Sequence, residues 1–294
     1  MTIHMSVKDF NLEHIFDCGQ CFRWERQADG SYTGLASGTQ PVNISFSPRE
    51  NDEYSGEIAI SNAGGSDPEG FWSSYLDLKR DYGGIKAELS ANDPVMAKAV
   101  EFGQGIRILQ QDKWETLISF IISQNNNIKR IKGCISALCE NFGKPAGEHM
   151  GREFFEFPEA AALAALSEED LAPCRLGYRA KYIVETAKAV SKDNCEKLYS
   201  LGGSSGEEAF GYLTGLSGVG PKVARCIMLF SMGNHGSFPV DVWVRQAMSS
   251  LYGIDKGSAK AMTEYAEREF GAYGGVAQQY LFYYMKSLQI RGKK

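Results

Sequence analysis

A lysine and an aspartate nineteen residues apart are the residues of this sequence best suited to chemistry. Lys222 follows Pro221, a residue that helices accept in their first turn, so the lysine is predicted at a helix N-terminus. The positive end of the helix dipole disfavours a cation there, which favours the uncharged amine that can attack carbon. Asp241 is the only acid in residues 209–254, against the cations Lys222, Arg225 and Arg245. A phosphate-binding lysine and a helix N-cap aspartate are the alternatives.

The segment before Lys222 reads Leu216-Ser-Gly-Val-Gly220, a glycine-rich turn between two helical patterns. A dinucleotide fingerprint would need a third glycine at Val223, and a P-loop would need Gly-Lys followed by Ser or Thr. Neither fits. A turn of this kind exposes backbone N–H groups at a helix N-terminus, which suits one phosphate of a DNA backbone. The sequence therefore predicts a helix–hairpin–helix at residues 214–222 in which Gly218 and Gly220 contact DNA; a plain turn between helices is the alternative.

Composition is that of a globular protein and excludes several classes. The 294 residues are 43% hydrophobic and 23% charged, which allows about two domains of ~100–200 residues each. No apolar run approaches the ~18–20 residues of a membrane span. The N-terminus lacks the basic and apolar regions of a secretory signal, and seven scattered cysteines favour a reducing compartment. We expect an intracellular monomer with no membrane contact, in the cytoplasm or at the nucleoid if the source is bacterial.

The charge differs between the two parts of the chain. Residues 1–90 carry 7 basic and 14 acidic side chains, whereas residues 91–294 carry 24 and 22. The second part also contains windows without any acid, at residues 116–139 and 171–183. A protein with a net charge of −5 can still bind nucleic acid if its cations lie on one face; solvated helix faces without a partner are the alternative.

The elements that must position these residues change in type along the chain. Residues 22–61 alternate in polarity and are rich in aromatic and β-branched side chains, which predicts short antiparallel strands. Helical periodicity and N-cap signals dominate from about Phe71 onward, for example at Asp93-Pro94 and Asp112. We therefore predict an α+β protein, with an N-terminal antiparallel β domain at residues 1–90 and an all-helical domain at residues 91–294.

Several motifs in the same order identify a family. The sequence resembles the helix–hairpin–helix (HhH-GPD) DNA glycosylase superfamily and, within it, the 8-oxoguanine DNA glycosylase/AP lyases. Nearly the whole chain is covered by the motifs Cys18–Trp24, Ser123–Arg130, Leu176–Tyr182, Pro239–Asp241 and Gly275–Phe282, together with the hairpin and Lys222.

The resemblance implies a covalent mechanism and a pocket for the lesion. Lys222 would attack the sugar C1′ and form a Schiff base, and Asp241 would stabilise positive charge on the sugar. The damaged base must leave the helix stack to be read. Oxidation at C8 turns guanine N7 into an N–H donor, which the backbone carbonyl of Gly19 would accept. The resemblance assigns the remaining base contacts to Cys226, Gln278 and Phe282.

The resemblance also assigns DNA contacts and implies double-stranded DNA containing oxidised guanine, opposite cytosine, as the partner. Asn125 would fill the gap left by the flipped base, beside Asn126, and Tyr178 would stack between bases. Arg130 and Arg179 would face the orphaned cytosine; phosphate contact is the alternative. Arg245 is a further DNA contact. For each of these residues, a structural role in a loop or core is the alternative.

No cofactor is required by this chemistry. The absence of cysteines after Cys226 argues against the C-terminal iron–sulfur cluster of related branches, and the lone Cys18-x-x-Cys21 argues against zinc. The resemblance implies a monovalent or calcium ion at the hairpin, held by the carbonyls of Thr214, Leu216 and Val219. Trp243 departs from the family, which has a phosphate-binding histidine at this position.

Two other functions fit parts of the sequence. A monofunctional alkyl-base glycosylase would share the fold and the aspartate but would lack the lysine, so Lys222 argues against it. A non-enzymatic helix–hairpin–helix module would explain the hairpin glycines and the basic windows, but not the presence of both catalytic groups.

Overall fold

The computed structural model describes residues 1–291 and begins with a five-stranded antiparallel sheet. Its spatial order is β1-β5-β4-β3-β2, and the strands are β1 (Ile3–Val7), β2 (Trp24–Arg26), β3 (Tyr32–Gly34), β4 (Val42–Arg49) and β5 (Asp52–Ser61). The short strands predicted in residues 22–61 are confirmed as β2 to β5, and β1 is an addition that pairs Ile3 with Ile60. A short helix, α1 (Leu12–Phe16), connects β1 to the segment that contains Gly19.

Aromatic side chains fill the space between the sheet and helix α2 (Pro68–Tyr75). Trp24 and Trp72 are each 1% exposed, and the Trp24 indole N–H donates to the Tyr75 hydroxyl at 2.9 Å. Phe16 stacks on Trp24 with ring centroids 4.5 Å apart. Large aromatic rings bury much apolar surface for each residue ordered, so this small sheet has a core of its own.

Helices make up most of the remaining described chain. Asp93 and Asp112 cap the helices that follow them, as predicted. The helices are α3 (Tyr82–Ser90), α4 (Pro94–Phe102), α5 (Lys113–Ser123), α6 (Ile128–Phe142), α7 (Ala160–Ala164), α8 (Arg179–Val190), α9 (Glu196–Ser200), α10 (Gly206–Thr214), α11 (Pro221–Ser231), α12 (Val242–Tyr252), α13 (Ala259–Glu269) and α14 (Gly274–Arg291).

The predicted α+β class is confirmed, with one addition to the helical part. A two-stranded hairpin, β6 (Pro145–His149) and β7 (Arg152–Phe155), lies between α6 and α7. The hydrophobic core of the sheet contains buried residues from Ile3 to Leu76, together with Leu109. Tyr82 belongs to the second core, which is formed mainly by the helices. Among the described residues, none of the helices is long and apolar enough to cross a membrane.

Candidate active site

The turn between α10 and α11 is the predicted helix–hairpin–helix, and its two glycines serve different purposes. Gly218 has φ +74, and a Cβ on it would lie 2.6 Å from Cβ of Tyr182 on α8. Gly220 has φ −87 and is the N-cap of α11, and a Cβ on it would meet no atom within 4 Å. The first glycine therefore permits close packing on α8, and the second leaves the helix N-terminus open to a ligand.

These two glycines give a matched pair of variants. We expect Gly218→Ala to lower the free energy of unfolding by about 1–3 kcal/mol, because the methyl group would press on Tyr182 at a positive φ. Gly220→Ala should unfold at nearly the wild-type temperature and bind duplex DNA more weakly. Thermal unfolding and DNA titration of both variants check this. Equal destabilisation by the two substitutions would contradict the division of roles.

Lys222 lies in the first turn of α11 with its amine against an aromatic ring. Its side chain is half-buried, and Nζ is 5.4 Å from the centroid of the Phe120 ring, a cation–π distance. Cys226 follows one turn later and is 3% exposed. Burial raises the pKa of the Cys226 thiol to about 11, against the opposing effect of Lys222. The amine therefore lies beside a neutral thiol and an apolar ring, and it is accessible from outside.

Asp241 is both a helix cap and the carboxylate that interacts with Lys222. Its Oδ1 accepts from the backbone N–H groups of Trp243 at 3.0 Å and Val244 at 2.8 Å. Burial raises the pKa of Asp241 above its ordinary value, while these bonds and the charge of Lys222 act in the opposite direction. The two readings offered by the sequence are therefore compatible, because the cap uses Oδ1 and leaves Oδ2 for a substrate.

Two of the residues predicted to contact the base meet directly. A Cβ on Gly19, whose φ is +81, would lie 3.2 Å from Cζ of Phe282. Gln278 is 3% exposed, and its side-chain oxygen accepts from Gln279 at 2.7 Å. Phe282 and Gln278 both lie on α14, and Cys226 lies on α11. The structure thus brings Gly19 next to Phe282 from distant parts of the sequence, and the pocket itself stays a prediction.

Hydrogen bonds from the buried Arg179 hold the loop between α5 and α6, which is predicted to face DNA. Arg179 is 3% exposed and donates from Nε to the Gln124 carbonyl at 2.9 Å and from Nη2 to the Asn125 carbonyl at 3.0 Å. Asn125 is exposed with φ +46, and Tyr178 is 52% exposed. Arg179 therefore positions the loop. Its guanidinium also lies over the Tyr178 ring, and that ring is on the surface, where a residue that inserts between bases has to be.

The other predicted DNA contacts remain predictions with differing environments. Arg130 is exposed and makes one long bond, 3.3 Å, to the Arg175 carbonyl, so its guanidinium has donors available for an orphaned base. Arg245 donates to the Lys256 carbonyl at 2.6 Å. Asn126 points its amide back to the Ile122 carbonyl at 3.0 Å, which makes it a loop-shaping residue in this state.

Sequence reasoning missed two residues that connect the parts of the site. Phe120 lies under the Lys222 amine and stacks on Phe230 with ring centroids 5.4 Å apart. The Gln124 amide donates to the Gly218 carbonyl at 2.8 Å and ties the asparagine loop to the hairpin. Phe120 is indistinguishable from core residues within an amphipathic helix. Gln124 could have been found, because it lies directly before three asparagines.

Comparisons with known proteins agree with this geometry. The family described as "8-oxoguanine DNA glycosylase, N-terminal domain" matches residues 2–117, and "HhH-GPD superfamily base excision DNA repair protein" matches residues 118–271. The N-glycosylase/DNA lyase OGG1 of Arabidopsis thaliana is 32% identical over 290 residues, which cover 95% of this chain and 78% of the plant protein.

Two solved structures are similar along nearly the entire chain. MBOgg1 in complex with a low-affinity DNA ligand is 42% identical with a TM-score of 0.91, covering 98% of this chain and 96% of the other. The Clostridium acetobutylicum 8-oxoguanine glycosylase/lyase, in complex with double-stranded DNA containing cytosine opposite 8-oxoguanine, is 41% identical with a TM-score of 0.89 and covers 98% of each chain. The chain therefore belongs to the 8-oxoguanine DNA glycosylase family of the HhH-GPD superfamily.

Proposed function

We propose that this protein excises 8-oxoguanine from double-stranded DNA and then cleaves the strand at the resulting abasic site. The observation that carries the proposal is the placement of the Lys222 amine and the Asp241 carboxylate beside the open N-terminus of α11, where a DNA phosphate can bind. The two groups supply a nucleophile and a charge-stabilising anion, and no organic cofactor takes part in the steps below.

The steps follow from the chemistry of the two groups. The Lys222 nitrogen forms a bond to C1′ while the bond from C1′ to the base breaks, and the base leaves with the bonding electrons. Positive charge on the sugar is stabilised by Asp241, whose Oδ2 is not used by the helix cap. The departing base takes up a proton from the attacking nitrogen. The bond from C1′ to O4′ then breaks, O4′ takes up a proton from solvent, and an iminium remains between Lys222 and C1′. Loss of a proton from C2′ then expels the 3′ phosphate and cuts the strand.

Recognition of the lesion is assigned to the pocket formed by Gly19 and α14. The Gly19 carbonyl would accept the N7–H that 8-oxoguanine has and guanine lacks, while Gln278 offers both a donor and an acceptor to the Watson–Crick edge. Phe282 is 8% exposed and Cys226 is 3% exposed, so side chains of the folded protein must move before a base can insert between these two residues. Selectivity then depends on a bond that undamaged guanine cannot form.

Substitution of Gly19 should separate base recognition from strand cleavage. Alanine at a φ of +81 is strained, and its methyl group would approach the Phe282 ring at 3.2 Å. We expect Gly19→Ala to slow excision of 8-oxoguanine by about 10–100-fold and to leave cleavage of a preformed abasic site nearly unchanged. Single-turnover assays on the two substrates measure both rates. An equal loss on both would show that the substitution acts on the catalytic groups.

Borohydride trapping tests the proposed reaction directly. A labelled duplex with one 8-oxoguanine opposite cytosine should form a covalent adduct with the protein, and an undamaged duplex should not. Base release without an adduct would indicate a monofunctional glycosylase. DNA binding with neither product would indicate a binding module. The same assay with adenine, guanine or thymine opposite the lesion measures the contribution of the exposed Arg130.

We also propose that the hairpin binds a monovalent or calcium ion through the carbonyls of Thr214, Leu216 and Val219. In the described part of the chain, the Val219 carbonyl accepts no hydrogen bond and the Thr214 carbonyl accepts none from outside α10, while the Leu216 carbonyl accepts one from Val219 at 3.2 Å. These oxygens suit a hard cation. DNA affinity should be higher in potassium than in tetramethylammonium at equal ionic strength.

Because the proposed substrate is chromosomal DNA, we propose that the protein acts in the compartment that contains it, which in a bacterium is the nucleoid.

A further inference from the structure

A buried contact between a histidine and an aspartate joins the loop between α11 and α12 to the N-terminal part of the chain. His235 lies in this loop, and Asp77 lies between α2 and α3. Nε2 of His235 is 3.3 Å from Oδ2 of Asp77, and the two side chains are 6% and 12% exposed. The mechanism above uses neither residue. Burying such groups is costly unless each has a partner, so the contacts around them must offset this cost.

The ring of His235 lies between two oxygen atoms. Nδ1 is 2.7 Å from the carbonyl oxygen of Gly233, which can only accept a hydrogen bond. Nε2 faces the Asp77 carboxylate and has no other polar partner in the described part of the chain. The ring is thus held between one backbone carbonyl and one carboxylate, and removing the carboxylate would leave Nε2 buried without a polar neighbour.

Asp77 is held as an anion by its other neighbours. Its Oδ2 accepts from Nε of Arg80 at 2.7 Å and from the Tyr82 hydroxyl at 2.9 Å. The Asp77 carbonyl accepts from Arg107 at 2.7 Å. Burial opposes the charged form, but the bonds from His235 and Arg80 outweigh it and hold the pKa of Asp77 below its ordinary value. The negative partner of His235 is thus present throughout the neutral range.

The main chain of His235 contacts the helix that carries the base-reading residues. Its carbonyl oxygen accepts from the Gly275 N–H at 2.7 Å, in the first turn of α14. A Cβ on Gly275 would lie 2.9 Å from that same oxygen, so glycine permits the close approach. Gln278 follows within one turn and Phe282 one turn later. His235 therefore holds α14 through its main chain and the N-terminal part of the chain through its ring.

We propose that His235 is a positioning residue for lesion recognition. It fixes the start of α14, and with it Gln278 and Phe282, relative to the N-terminal segment that provides Gly19. The proposal rests on the proposed function, since it concerns the pocket for the damaged base. Cleavage at a preformed abasic site needs Lys222 and Asp241, but no nucleobase has to be recognised. Loss of the contact between His235 and Asp77 should therefore slow excision more than abasic-site cleavage.

The test compares two single-turnover rates on the full-length protein. We expect His235→Gln and Asp77→Asn each to lower the ratio of 8-oxoguanine excision to abasic-site cleavage by about tenfold. The double variant should lower the ratio no further than either single variant, because both remove the same contact.

Glu115→Gln is the matched control. Glu115 pairs with Arg23 at 3.0 Å, and the two side chains are 14% and 10% exposed. This pair also joins the N-terminal part of the chain to the helical part, on α5 rather than α14. Glu115→Gln should lower the melting temperature and leave the ratio unchanged. An equal loss of both rates in the His235 and Asp77 variants, or a changed ratio in Glu115→Gln, would overturn the proposal. A wild-type protein that cleaves abasic sites without excising 8-oxoguanine would instead overturn the proposed function.

Discussion

Lys222→Gln should abolish both strand cleavage and borohydride trapping while retaining DNA binding. Glutamine keeps a polar N–H donor and part of the aliphatic side chain, but its amide nitrogen is not a nucleophile. Lys222 is half-buried at the first turn of α11, and among the described contacts its amine adjoins the Phe120 ring rather than a structural ion pair. We therefore expect a loss of at least about 10³-fold in excision with little change in melting temperature.

The control for this variant is a lysine of the same charge elsewhere. Lys181 is exposed on α8 and lies 3.9 Å from Glu185, so Lys181→Gln removes one positive charge from an acid-free window without touching the catalytic groups. It should form the adduct at the wild-type rate. If Lys222→Gln cut lesion DNA at the wild-type rate, or if Lys181→Gln lost the adduct as well, Lys222 would not be the nucleophile.

The sequence predicted the positions of Lys222 and Asp241 in their helices correctly because the signals for a helix N-terminus are local. A proline followed by lysine after a glycine turn, and a lone aspartate at a proline-marked helix start, each indicate a position within one turn of a helix. The structure places Lys222 and Asp241 at such positions. Strands β2 to β5 were likewise indicated by alternation and turn residues, whereas β1 was missed because five residues at a chain terminus carry little pattern.

Two features of the chain depend on longer-range structure rather than on local sequence. Ser167 and Asp170 form the reciprocal bonds of a capping box, but the chain continues into a turn and the short 3₁₀ segment Ala172–Cys174, where Pro173 disfavours an α-helix. The exposed, polar hairpin β6–β7 has weak alternation and was not predicted. Each outcome depends on neighbours that a periodicity argument does not include.

The environments of predicted residues were harder to foresee than their identities. Two adjacent residues assigned to DNA contact, Tyr178 and Arg179, differ in exposure from 52% to 3%, because Arg179 turns inward to carbonyls of the asparagine loop. The side-chain contacts of Phe120, Gln124 and His235 join residues about 94 to 158 positions apart in sequence, from Gln124–Gly218 to His235–Asp77. Single-sequence patterns contain no information about such pairs.

Asp241→Asn should separate the catalytic role of this residue from its role as a helix cap. Asparagine is as good an N-cap as aspartate, so its side-chain oxygen can still accept from Trp243 and Val244. It carries no charge to stabilise the sugar cation, and we expect excision to slow by about 10²–10³-fold. Asp241→Ala should be equally slow and should also lose about 1 kcal/mol of stability, because the cap is gone.

The raised pKa of Asp241 gives this prediction a definite pH dependence. Burial makes the folded protein hold the proton more tightly than the unfolded chain does, so stability falls as the pH rises through the interval between the two pKa values. At neutral pH the ionised carboxylate therefore lowers stability, and Asp241→Asn should melt at or above the wild-type temperature. Excision by the wild type should decline in acid at a pH above 3.8, the ordinary carboxyl value, as the carboxylate is protonated. A melting temperature of Asp241→Asn as low as that of Asp241→Ala, or excision at the wild-type rate, would mean that the carboxylate serves the helix alone.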